Sequence, residues 1–269
     1  MKIFSFTSNA FFVEIMKQKI KNEFIEFGLL VKSVPSTVLT LFVVSVIAMN
    51  LLANKSIDLG VDWLALDCGF VVSWFSFLSM DMITKHFGPK ASTQISILAL
   101  AFNLGVSLVF YLCSIIPGVW GESFVNGSEN VINSALNNTF GGTWYVLVGS
   151  ATAFVVSSLV NNFTNWGIGK LFVKNPDGVA CYLTRSYLST ALGQFVDNLV
   201  FALIVSHFFF GWSIVQCLTC ATTGMIVELL FEVIFSGIGF KVCKKWKEQS
   251  VGKDYFEFRK NKENKICEC

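Results

Sequence analysis

Charge is what this sequence has least of. Asp, Glu, Lys and Arg make up 14% of its 269 residues, where a soluble domain averages about 25%. Hydrophobic residues make up 54% and the mean hydropathy is +0.62, so lipid takes the place of water around most of the chain. No stretch has the composition of a soluble domain, and no internal repeat is evident. Several enzyme classes go with missing motifs. There is no HExxH, no GxSxG and no P-loop, which removes the sequence grounds for a zinc protease, a serine hydrolase and an ATP-binding site. The eight cysteines are scattered through apolar runs rather than grouped in a short secreted framework, so no disulfide scaffold is expected. The N-terminus lacks the basic, then apolar, then small-residue order of a cleavable signal peptide, which predicts a retained N-terminal segment.

What is present is a series of apolar runs, each long enough to cross a bilayer. They cover about 35–53, 61–83, 93–116, 144–165, 186–210 and 212–240. Residues 1–34 mix Lys and Glu with Phe, Ile and Leu, a pattern that suits a helix at the membrane surface or a solvated lead-in helix. The segment 118–143 is rich in Gly, Asn and Ser. The expected organisation is an interfacial segment (1–34), an all-α transmembrane domain of six helices (35–240) and a basic tail (241–269).

The basic residues orient the spans. Lys and Arg occur in the N-terminal segment, between runs two and three (Lys85, Lys90), between runs four and five (Lys170, Lys174, Arg185) and in the tail. With six spans these segments share one side and hold nineteen of the twenty Lys and Arg; the other side has Lys55 alone. Both termini are therefore expected in the cytoplasm.

Polar residues inside the runs are the functional candidates, because a charge at mid-bilayer costs at least roughly 2.5–3.5 kcal/mol. The fifth run carries Gln194, Asp197 and Asn198 within about one helical turn. At about 1.5 Å per residue from Ser186, Asp197 is roughly 16 Å deep. A carboxylate with two amides suits a ligand that has both donors and acceptors, such as a nucleobase-like ring; a polar clasp between helices is the alternative. Glu228 and Glu232 lie i,i+4 in the sixth run. Two close carboxylates in a low dielectric do not both ionise cheaply, which suits a proton relay, although Glu232 could instead pair with Lys241 or Lys244. Asp81 and Lys85 are spaced for an ion pair. Trp74 and Phe77 are candidates to stack on a flat ligand or to pack. Asn50 and Asn54 share a helical face at the end of the first run. Asp67 and His207 lie near the outer face. Cys217 and Cys220 form a CxxC that would suit a membrane thiol oxidoreductase, but no cofactor signature accompanies it. Neither Asp has the glycine-flanked context of an intramembrane aspartyl protease.

Three stretches resemble the vitamin uptake transporter family and its queuosine precursor transporters: AMNLLANK (48–55), FLSMDMITKHFGPKAS (77–92) and SYLSTALGQFVDNLVFAL (186–203). The second matches an Asp followed by a short tract ending in an aromatic and Gly. The third matches a Ser-Thr pair, then Gln, then Asp. One departure is Lys85, where family members often carry Glu. The resemblance implies a fold similar to the substrate-binding subunits of energy-coupling-factor transporters. It also implies a bacterial plasma-membrane carrier of 7-deazaguanine bases such as queuine or its cyano or aminomethyl precursors, and supports Asp81, Gln194 and Asp197 as binding residues. No cofactor, metal or nucleic acid is expected. A homodimer or an energising ATP-driven subunit stays open.

Overall fold

The computed structural model describes residues 3–53, 55–57, 60–61, 63, 66–121, 129–141 and 144–267. Helices dominate: α1 (Ile3–Ser33), α2 (Ser36–Leu52), α3 (Phe70–Phe87), α4 (Pro89–Ile115), α5 (Glu129–Gly141), α6 (Trp144–Gly169), α7 (Val179–Phe210), α8 (Ile214–Glu248) and α9 (Lys253–Cys267). Two short antiparallel strands, β1 (Ser56–Ile57) and β2 (Leu66–Asp67), pair between α2 and α3.

Local chemistry sets the breaks. Pro35 disfavours helical geometry at Val34, and the chain turns by 101° between Met16–Ser33 and α2. Gly88, at φ +92°, ends α3 and leads directly into Pro89 at the start of α4. Only glycine adopts that φ without strain, and proline suits a first helical turn. Ser213 and Gln216 form a reciprocal capping box at the start of α8.

Among the described residues, three stretches are long and apolar enough to cross a membrane: α4, the Val131–Gly169 stretch that contains α6, and α7. A fourth results if the two arms of the 101° bend count as one broken span. The sequence runs lead to six. The difference lies in α2, which has only 17 residues, and in α3 and α8, which are not among the three. Boundaries move too. The second run was expected from 61, yet α3 starts at Phe70. Upstream of it, Asp67 Oδ1 accepts the Gly69 amide at 2.7 Å, a local bond that competes with helix. The polar 118–143 segment contains α5, which packs on α4; Trp120 donates to Asn137 at 2.8 Å.

α3 and α7 are the inner helices. α3 packs against α2, α4, α6, α7 and α8, and α7 lies between α6 and α8. Gly193 allows this closeness. A Cβ there would meet Phe77 Cε1 at 2.7 Å and Asn161 Cβ at 3.0 Å.

The basic tail does not hang free. α8 continues to Glu248, and α9 folds back onto α1. Lys262 contacts Glu23 at 2.6 Å and also Glu26, Lys90 contacts Glu23 at 2.8 Å and Glu26 at 3.1 Å, and Arg259 lies 3.9 Å from Glu26. Glu26 is fully buried in this clamp. Nearby, Tyr255 is buried against Phe87, ring centroids 5.9 Å apart.

Two outcomes are expected. The hydrogen bond from Lys262, then that from Lys90, hold the Glu23 carboxyl down from 4.5 to about 2. Its contribution to holding α9 is therefore complete above pH 4.5 and lost as pH falls toward 2. Hydrogen exchange in α9 should accelerate selectively over that window; unchanged protection would contradict the clamp. Gly193→Ala should overpack the α3–α6–α7 contact by about 1–3 kcal/mol and lower the melting temperature of the detergent-purified protein.

Candidate functional site

Residues on one face of α7 recur at helical spacing: Ser186, Ser189 and Thr190, Gly193 and Gln194, then Asp197 and Asn198. On α8, Glu228 and Glu232 are one turn apart, about 5.4 Å along the axis. α3 supplies Ser73 and Asp81, and α6 supplies Ser157, Asn161 and Asn165. These side chains form two clusters, one above the other along α7 and α8.

The first cluster centres on Asp81, which is 1% exposed. Its Oδ1 accepts from Asn161 Nδ2 at 3.0 Å and Ser189 Oγ at 3.1 Å. Its Oδ2 accepts from Ser186 Oγ at 2.5 Å and Thr190 Oγ1 at 3.3 Å. The Ser186 hydroxyl also lies 2.5 Å from Glu232 Oε1. A hydroxyl has one proton to donate, so it cannot donate to both acids at once. The Asp81–Ser186–Glu232 bridge is complete when one proton is shared along it. Behind Ser189, Asn165 Nδ2 donates to Ser189 Oγ at 3.2 Å. Arg185 Nε and Nη2 donate to Asn165 Oδ1 at 3.1 and 2.7 Å.

The second cluster surrounds a cavity of about 30 Å³ whose lining includes Asn50, Asp67, Phe70, Ser73, Ser150, Asp197, Asn198 and Glu228. Glu228 is 2% exposed. It is held by Ser73 Oγ and, at 3.3 Å, by Asn198 Nδ2. Asp197 Oδ1 accepts from Ser157 Oγ at 2.6 Å. A larger cavity of about 210 Å³ shares Asn50 and Ser150 with this one and extends among α2, α4, α5 and α6.

Among the residues singled out in the sequence, Asn50, Asp67, Asp197, Asn198 and Glu228 meet at one cavity. Asp81 and Glu232 meet in the other cluster. Gln194 is fully buried between the two levels on α7, and among the described residues neither its amide oxygen nor its nitrogen has a hydrogen-bond partner. Asn54 lies outside the described residues. Trp74 stacks on Phe235 of α8 at 4.3 Å between centroids, and its indole N–H donates to the Val71 carbonyl. Phe77 is fully buried in the apolar core. The aromatic rings at the cavity are Phe70 and Phe201. The ion pair expected from the Asp81–Lys85 spacing is not formed: Asp81 turns inward to Ser, Thr and Asn, and Lys85 donates to the Pro176 carbonyl at 2.9 Å. Glu232 pairs with neither Lys241 nor Lys244 but with Ser186. Cys217 and Cys220 are buried free thiols, and His207 Nδ1 sits 2.6 Å from the Trp212 carbonyl.

Sequence reasoning passed over Ser73, Ser157, Asn161 and Asn165, and used Arg185 only to orient the spans. A signal for part of this set was present: the NNFTN stretch (161–165) puts three Asn in an apolar run. Asn162, the third of them, receives hydrogen bonds from Thr84 at 3.1 Å and Ser92 at 2.8 Å. Serine gives no such signal, being common in membrane helices.

Residues 67–243 match a protein-family model described as "Putative vitamin uptake transporter". No curated protein and no solved structure matches the chain.

The bonding around Asp81 generates a stability test. Asp81→Ala removes the acceptor of four buried donors, and each donor left without a partner costs about 1–3 kcal/mol. Asp81→Asn keeps an acceptor oxygen. The Ala variant should therefore melt well below the Asn variant in the same detergent; equal melting temperatures would mean the donors find other partners.

Proposed function

The chain belongs to the vitamin uptake transporter family, and on that premise we propose that it imports a 7-deazaguanine base, queuine or one of its cyano or aminomethyl precursors. As a member of that family it is a multi-pass membrane transporter of a small molecule. In this reading the transport is ion-coupled, the membrane is the bacterial plasma membrane, and six helices span it: α2, α3, α4, α6, α7 and α8.

The observation that carries the reading is the cavity where α2, α3, α7 and α8 bring Asn50, Asp197, Asn198 and Glu228 together. A guanine-like edge presents adjacent N–H donors and a carbonyl. Carboxylates accept such donors strongly, and an amide supplies the complementary donor. Phe70 offers a face for the flat ring. Gln194, one turn away with an unused donor and acceptor, completes the polar set once the helices part. At about 30 Å³ the cavity is far smaller than ligand pockets of roughly 300–1,000 Å³, so this is a closed form. The adjoining cavity of about 210 Å³ is the natural approach through Asn50 and Ser150.

The Asp81–Ser186–Glu232 bridge is the proposed proton carrier. It lies one turn from the ligand level along α8, Glu232 to Glu228, and about three turns along α7, Ser186 to Asp197, with Gln194 between. Movement of α7 relative to α8 as the base binds would part Ser186 from Glu232 and oblige the shared proton to settle on one side. That is a direct means of coupling.

Cytoplasmic termini are supported by the ion pairs. The N-terminal helix, the α3–α4 turn and the tail are joined through Lys90, Lys262, Glu23 and Glu26. Lys247 binds Asp177 in the α6–α7 loop. These are the segments that hold the basic residues.

Uptake of labelled queuine into proteoliposomes under an imposed proton gradient tests the reading. Asp197→Asn should reduce uptake roughly 10- to 100-fold, the cost of losing a charged hydrogen bond, while melting close to the parent protein. Full uptake in that variant would remove Asp197 from the site. Binding without uptake by the protein alone would instead fit the substrate-binding subunit of an ATP-driven transporter.

A further inference from the structure

We propose that a third cavity, at the end of the bundle where α3 and α6 finish and α7 begins, binds a phosphate-bearing anion. It has a volume of about 350 Å³, and its lining includes Lys85, His86, Gly88, Trp166, Lys170 and Arg185. No carboxylate lines it.

Two of its cations have an ordinary explanation. Lys85 and Lys170 stand at the C-terminal ends of α3 and α6, where the helix dipole favours positive charge. Lys85 donates to the Pro176 carbonyl, and Lys170 Nζ lies 3.4 Å from the centroid of the Trp166 ring.

Arg185 has no such explanation. It stands in the second turn of α7, away from any helix C-terminus that would favour a cation, and it is only 9% exposed. Its Nε and Nη2 are engaged by the neutral Asn165 oxygen. Among the described residues no carboxylate lies within ion-pair distance of it. Lys85 is close enough for the two to repel. Asp177, whose charge also reaches Lys85, is taken by Lys247.

Three cations thus converge on one hollow without an acid, and one of them is a nearly buried guanidinium. The charge of Arg185 reaches Asp81, but only across the Asn165–Ser189 link, so the guanidinium lines the hollow without a direct counter-charge. A phosphate oxygen pair matches its planar fork, with two ammonium groups supplying the remaining charge. Basic hollows between membrane helices take phospholipid headgroups, and Trp166, 40% exposed on the same rim, is the residue type that prefers the headgroup level. The same chemistry would accept free phosphate. An anion here would touch the Arg185–Asn165–Ser189–Asp81 chain of bonds, and so the buried acid cluster.

Thermal stability of the full-length, detergent-purified protein distinguishes the sources. It is read with added phosphatidylglycerol, with phosphatidylcholine and with inorganic phosphate, beside the variant Lys85→Gln/Lys170→Gln. The expected result is a rise in melting temperature with phosphatidylglycerol and not with phosphatidylcholine. The rise should be weakened by salt, and the apparent affinity should be reduced roughly tenfold or more in the variant. A rise with inorganic phosphate as well, lost in the variant, would support the site with a soluble ligand. The variant keeps Arg185, so its folding is not at stake. No rise with either phosphate-bearing ligand, or an equal rise in the variant, would overturn the proposal. None of these readings depends on the identity of the transported molecule.

Discussion

A carboxylate sealed away from water must be met by hydrogen bonds, and this constraint organises the interior of the protein. Asp81, Asp197, Glu228 and Glu232 sit among apolar helices, and each is met by hydroxyls or amides from a different helix. Asp81 alone collects donors from α6 and α7, and through Ser186 it is tied to α8. Satisfying four bonds at one group fixes the rotation of three helices relative to α3. The apolar contacts then fill in around that registration: Phe77 against Gly193, and Trp74 against Phe235.

The same bonds divide the interior into levels. One level has a cavity with acids and amides at its wall. The next is a closed chain of bonded groups that leads from Glu232 to Arg185. α7 contributes to both, and Gln194 stands between them with its amide unused. The division suits a carrier in which one level meets the ligand and the other handles a proton, with α7 as the shared element. At the far end, the ion-pair clamp among α1, α4 and α9 ties together the segments on which the basic residues lie. That helix-end arrangement has a buried acid of its own, Glu26, and among the described residues it shares no hydrogen bond with the Asp81 and Glu228 clusters.

Much of this was legible in the sequence because acids in apolar runs are conspicuous. Asn50, Asp81, Asp197, Asn198, Glu228 and Glu232 all stood out, and the structure brings them into two groups. Their grouping was not legible, since it depends on how helices far apart in sequence are rotated against each other. Spacing linked Asp81 to Lys85; packing turned the acid inward and left the lysine to a loop carbonyl. The serines and asparagines that hold the acids were hidden by their ordinariness in membrane helices. The start of α3 was misplaced because the apolar run continues through Leu66, where an Asp67–Gly69 turn and a short strand displace the helix. The folded-back tail was invisible for another reason. Its partners, Glu23 and Glu26, lie more than two hundred residues away.

The most direct test of the central claim, that the acid-lined cavity is the ligand site, is thermal stabilisation of the purified protein by a panel of queuine, its precursors, guanine and unrelated vitamins. A ligand that binds only the folded state raises the melting temperature by mass action. The account predicts a rise with a deazaguanine that disappears when Glu228 is changed to Gln and persists when the distant Lys253 is changed to Gln. A rise that survives Glu228→Gln, or a rise with an unrelated vitamin and none with any deazaguanine, would contradict it.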